Sequence, residues 1–102
     1  RSSDLAAQTR IGRHVILNRG CLIGHHTEIG DCVTISPGAN IAGKVSIGDR
    51  AYIAMGATVL DRISIGANAT VAAGSLVPRD VPPNTQVMGI PARITKENVP
   101  NR

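Results

Sequence analysis

The chain holds no Phe and no Trp, and Tyr52 is its single aromatic residue. A conventional core draws on aromatic rings because each buries so much area. Without them the interior is expected to be narrow, admitting only small and branched side chains. Cysteine is scarce as well. Cys21 and Cys32 give neither a metal-site spacing nor a dense disulfide framework, so reduced thiols in the cytoplasm are expected, with no bound metal. No apolar run nears membrane-spanning length and no signal-peptide core is found, so no membrane partner is expected. The formal net charge is +4, but no basic run or aromatic platform accompanies it, which argues against nucleic acid. A compact anionic ligand suits that balance better.

What the chain has in abundance is a period. Its 102 residues make one small domain. Along it Leu5, Ile11, Leu17, Ile23, Ile29, Ile35, Ile41, Ile47, Ile53, Val59, Ile65, Val71 and Val77 fall six apart without an insertion. Chance would produce such a run on the order of once in ten million trials, so the repeat is structural. Four residues after each comes a small or β-branched one, among them Cys21, Thr27, Val33, Ala39 and Ala57. Glycine often follows the aliphatic residue directly, as at Gly12, Gly24, Gly30, Gly48 and Gly66.

Strand alternation turns this pattern into geometry. The small residue and the next aliphatic are two apart and point to one side of a short strand. The two variable residues between units turn the chain, helped by nearby glycine. Three turns close a triangle, so residues eighteen apart stack on successive coils. The expected interior columns are Ile11, Ile29, Ile47 and Ile65; Leu17, Ile35, Ile53 and Val71; and Ile23, Ile41, Val59 and Val77. Hexapeptide repeats of this kind signal a parallel β-helix. After Val77 the pattern is expected to stop, with Pro78, Pro82, Pro83 and Pro91 interrupting strand pairing. The boundaries read as residues 1–4 frayed, 5–82 the β-helix, and 83–102 a C-terminal capping arm that ends in a loose polar tail from Lys96 to Arg102.

The hexapeptide run resembles the left-handed β-helix acyltransferases. The closing stretch Asp80-Val81-Pro82-Pro83-Asn84-Thr85, followed by Gly89-Ile90-Pro91-Ala92-Arg93, looks like that superfamily's C-terminal signature. Left-handed crossovers oppose the usual right-handed rule, so handedness comes from the resemblance alone. The implied fold class is all-β, a single-stranded left-handed parallel β-helix (a trimeric prism) with a C-terminal capping arm. Within the superfamily, Gly24-His25-His26 through Ser36-Pro37-Gly38-Ala39 is most similar to the sialic-acid and nucleotide-aminosugar acetyltransferase group. That likeness implies a cytoplasmic homotrimer that binds acetyl-CoA in clefts between prisms and acetylates an amine or hydroxyl of a sugar or nucleotide-sugar acceptor. Members usually carry an N-terminal nucleotide-sugar-binding domain. Its lack here, with Arg1 in place of Met, reads as the catalytic half of a longer protein.

Acetyl transfer needs a general base at the nucleophile and donors at the carbonyl oxygen. His25 matches the family's base, and a neutral imidazole can accept a proton near neutral pH. Gly43, eighteen residues on, matches the position whose backbone amide contacts the thioester region. Ala73 and Gly74 fall where the family lines the pantetheine arm. Arg79, Arg93 and Lys96 match terminal basic residues that pair with CoA phosphates. The carboxylate that usually follows the base is replaced by His26, and one often found before it by Gly24. A polar position, often His, is Thr34. His26 and Thr34 are thus candidates to bind or orient the acceptor, with Glu28 or Asp31 as nearby carboxylates.

Three other functions share the fold. A γ-type carbonic anhydrase is echoed by Met55-Gly56-Ala57-Thr58-Val59-Leu60-Asp61, but its zinc needs three histidines, two of them five residues apart, whereas His25 and His26 are adjacent and His14 lies elsewhere. A non-enzymatic trimeric scaffold would keep the rod without the chemistry. Serine acetyltransferase is nearer, although its Asp-His pairs and inserted loop are missing.

Overall fold

A computed structural model describes residues 4–5 and 9–97. Among them the chain is all-β, with fifteen strands and no helix, hence none long and apolar enough to cross a membrane. Each repeat contributes a two-residue strand, and every third strand stacks in parallel on the same face of a triangular solenoid.

The first face holds β1 (Asp4–Leu5), β4 (Leu22–Ile23), β7 (Asn40–Ile41), β10 (Thr58–Val59) and β13 (Leu76–Val77). The second holds β2 (Arg10–Ile11), β5 (Glu28–Ile29), β8 (Ser46–Ile47) and β11 (Ser64–Ile65). The third holds β3 (Ile16–Leu17), β6 (Thr34–Ile35), β9 (Tyr52–Ile53), β12 (Thr70–Val71), β14 (Thr85–Gly89) and β15 (Ala92–Glu97). Register partners in the regular coils are eighteen apart, as in Ile23 with Ile41 and Ile35 with Ile53. The three expected columns are therefore the three interior walls from the second coil onward; at the first coil, near the open end of the stack, Ile11 is exposed and Leu17 half-buried.

The core is as narrow as the missing rings predict. Ile35, Ile53, Val59 and Val71 are fully buried, and so are the small inward residues Cys21, Val33, Ala39, Ala57 and Ala69. The inward hydroxyls satisfy themselves on the next coil: Thr27 Oγ1 donates to Ala42 O at 3.2 Å, and Thr9 Oγ1 to Gly24 O at 3.1 Å. A buried hydroxyl without such a partner would cost about 1–3 kcal/mol.

The end of the solenoid differs from the sequence reading. The six-residue period ends at Val77, but the coil continues beyond it. Ile65 bridges Val81 and Val71 pairs with Val87, sixteen residues on instead of eighteen, so the last coil continues two residues short. The shortening falls at Pro78–Asp80, where Asp80 Oδ1 accepts the Ser64 N–H at 2.9 Å. That carboxylate does the work a backbone carbonyl does in the longer coils. β14 thus belongs to the parallel stack, and β15 folds back on it antiparallel, with Gln86 opposite Lys96 and Thr85 opposite Glu97. Lys96 and Glu97 are strand residues instead of a loose tail, because the hairpin ladder gives their backbone partners. At the other end Asp4, expected frayed, pairs with Leu22. Residues 1–3 and 98–102 lie outside the described residues, as do 6–8.

Candidate active site

The triangular coil leaves three outer edges, each a column of two-residue corners. The second residue of each regular corner is in the left-handed region: His14, His26, Cys32, Lys44, Arg50, Arg62 and Asn68 have φ between 57° and 61°. The same conformation falls to glycine at Gly20, Gly38, Gly56 and Gly74, all on one edge. An ordinary side chain at such a φ carries a conformational cost that glycine avoids. The three edges thus have distinct chemistry.

One edge stacks Arg13-His14, Asp31-Cys32 and Asp49-Arg50. There Asp31 Oδ1 accepts the Arg13 N–H and Asp49 Oδ1 the Asp31 N–H, each at 2.8 Å. The aspartates tie down amides that a corner otherwise leaves pointing outward. A second edge stacks His25-His26, Gly43-Lys44, Asp61-Arg62 and Arg79-Asp80. Here the position that would cap His25 is Gly43, which has no side chain. Asp61, the next in the column, is turned to Arg62, with Oδ2 2.9 Å from its Nη1. Among the described residues nothing accepts from the Gly43 N–H.

This places His25 and Gly43 directly against one another. Lys44 N donates to His25 O at 2.7 Å, and Arg62 N to Gly43 O at 3.1 Å, locking the corners into a stack. A Cβ at Gly43 would lie 3.2 Å from His25 O, crowding the space beside the histidine. His25 and His26 are both exposed, their rings tilted by 48° with centroids 6.4 Å apart. Gly24 has a steric reason to lack the carboxylate expected before a base: its Cβ would meet Gly43 N at 2.6 Å, closer than two such atoms can stand.

The remaining candidates divide. Arg79 lies on the histidine edge, and together with Arg93 of β15 it lines a cavity of about 300 Å³ beside Pro78, Val87 and Ile94. Ala73 and Gly74 lie on the glycine edge, and Thr34 on the third face, half-buried in β6. Within one chain these three do not reach the histidine edge. Cys21 is buried and Cys32 exposed at a corner, both as free thiols. Tyr52 is half-buried on the third face, where Ser36 Oγ donates to its hydroxyl at 3.3 Å. The sequence reading passed over Lys44 and Arg62, which the eighteen-residue stack sets in line above His26.

Residues 8–43 and 44–79 match the bacterial transferase hexapeptide (six repeats) family. No curated protein matches the sequence. Among solved structures the chain is similar to a hexapeptide-repeat-containing acetyltransferase from Vibrio cholerae, at 29% identity over 89% of this chain and 63% of that one, with a TM-score of 0.82. Soybean serine acetyltransferase is 37% identical over 85% of this chain and 40% of its own, with a TM-score of 0.81. PerB from Caulobacter crescentus, solved with CoA and GDP-perosamine, is 30% identical over 93% and 55%, with a TM-score of 0.76. The chain spans less than two thirds of each of these proteins. The Vibrio cholerae acetyltransferase has also been solved with acetyl coenzyme A. The matched repeats are those of a left-handed β-helix, which supplies the hand of the coil. Repeat, stacking and family match agree, and the chain belongs to the bacterial transferase hexapeptide family.

Proposed function

We propose that the chain transfers acetyl from acetyl-CoA to an amine or hydroxyl of a sugar or nucleotide-linked amino sugar, with His25 as general base. The observation that carries this is the corner stack that sets the backbone of His25, an exposed histidine, against Gly43, whose own amide is uncovered. The relatives solved with CoA, acetyl coenzyme A and GDP-perosamine support the choice of donor and acceptor class.

In this reading His25 takes the proton from the attacking N–H or O–H as the nucleophile bonds to the thioester carbonyl carbon. The Gly43 N–H meets the charge that develops on the carbonyl oxygen. The carbon–sulfur bond then breaks, and the CoA thiolate leaves with the proton that His25 held. Arg79 and Arg93, at the 300 Å³ cavity, hold the phosphates of the donor. Ala73 and Gly74 line its pantetheine arm from a neighbouring copy, since a single chain keeps them on a different edge from His25. Thr34 reaches the site from a neighbour by the same argument. The assembly is a homotrimer with its clefts between prisms, working in the cytoplasm. His26 touches the acceptor from the corner beside the base.

The test is release of CoA thiol in the presence of acetyl-CoA and a panel of 4-amino nucleotide sugars. His25→Ala is expected to lower turnover by about 10²–10⁴-fold while leaving acetyl-CoA affinity intact. Undiminished turnover in the variant would remove His25 from the role.

A further inference from the structure

Beside the histidine edge the second face carries one pair of opposite charges. Glu28, three residues after His25, sits outward on β5, and Arg10 is its register partner on β2. At the same place on the next two coils stand Ser46 and Ser64, so the charges are confined to the level of the candidate base. Opposite charges on neighbouring strands ordinarily attract. Here they do not meet: among the described residues the ion pair found is Arg62 with Asp61. Instead Arg10 and Glu28 flank an opening of about 370 Å³, which Thr9 and His26 complete. Thr9 spends its hydroxyl on Gly24 O. That leaves a guanidinium, an imidazole and a carboxylate facing a space at the small end of the range for small-molecule pockets.

We propose that Arg10, His26 and Glu28 form an acceptor subsite for a sugar that bears an anionic substituent. The proposal rests on the acetyl-transfer reading for its name as acceptor site. A carboxylate accepts from two neighbouring sugar hydroxyls, which fixes the ring. A guanidinium takes a phosphate or carboxylate oxygen pair through two parallel N–H donors. His26 lines the same opening, and its ring centroid is 6.4 Å from that of His25, so the opening adjoins the candidate base. The missing carboxylate after the base is then replaced in function, from three residues along the chain and one face round.

Titration of the whole chain with galactosamine, galactosamine 1-phosphate and galacturonate tests this. Both anionic sugars are expected to bind at least tenfold tighter than galactosamine if any anion suffices, and the phosphate alone if the anion recognised is a phosphate; either preference supports the subsite. Arg10→Ala should abolish that preference, and Arg10→Lys should retain part of it. Glu28→Gln should weaken the preferred sugar about threefold or more. Circular dichroism checks that these exposed substitutions leave the fold intact. No sugar binding by the wild-type protein, equal binding of all three, or binding untouched by both Arg10→Ala and Glu28→Gln would overturn the subsite. Acetyl-CoA is titrated in parallel: its affinity should be unchanged in the variants, and failure of the wild-type protein to bind it would overturn the acetyl-transfer reading alone.

Discussion

At the scale of single residues, the candidate site depends on what Gly43 lacks. On the aspartate edge, side chains from the next coil cap the outward amides of Arg13 and Asp31. On the histidine edge the same place has no side chain, and the neighbouring acid is engaged by Arg62. Gly43→Val is therefore expected to keep the fold, since the position needs no left-handed φ, yet to lower turnover about a hundredfold or more by crowding the donor at the carbonyl oxygen. Thermal unfolding and thiol release on the same sample check both halves. Equal turnover in the variant would show that the amide is not used. The pairing of His25 with Gly43 was legible in the sequence, because eighteen residues make one coil. Arg10 and Glu28 obey the same spacing, but they belong to an outward row. That row runs from two charged residues to two serines and carries no compositional signal.

At the scale of elements, the solenoid is a stack of two-residue strands that no single repeat stabilises. Stability comes from the shared interior, where Ile53 sits fully buried between Ile35 and Val71. Ile53→Ala should cost about 2–5 kcal/mol through lost burial and an unfilled cavity, measured by denaturant unfolding at fixed protein concentration. A change below about 1 kcal/mol would mean that the column collapses around the gap. The regular coils were readable because every inward residue is forced by the triangle to be aliphatic or small. The last coil was not. Its two-residue shortening at Pro78–Asp80 moves Val81 and Val87 out of the period while keeping them inside. The β14–β15 hairpin pairs antiparallel with a register shift between Gln86 and Val87, and nothing in a period of six announces that geometry.

At the scale of the whole molecule, the three edges divide the work. The histidine edge carries the candidate base, the glycine edge carries Ala73 and Gly74, and one chain holds the two apart. The proposed site is therefore completed by a second copy, which predicts a trimer by sedimentation equilibrium at the concentrations used for assay. A monomer would leave the candidate donor-binding residues stranded on separate edges. Apolar side chains left outside, among them Ile16, Leu22, Met55 and Ile90, are the surfaces such packing would cover. The most direct measurement is a calorimetric titration of acetyl-CoA into the purified protein. The account predicts saturable binding with one site for each chain, lost in Gly43→Val and kept in His25→Ala; a confirmed trimer that takes up no acetyl-CoA would contradict it.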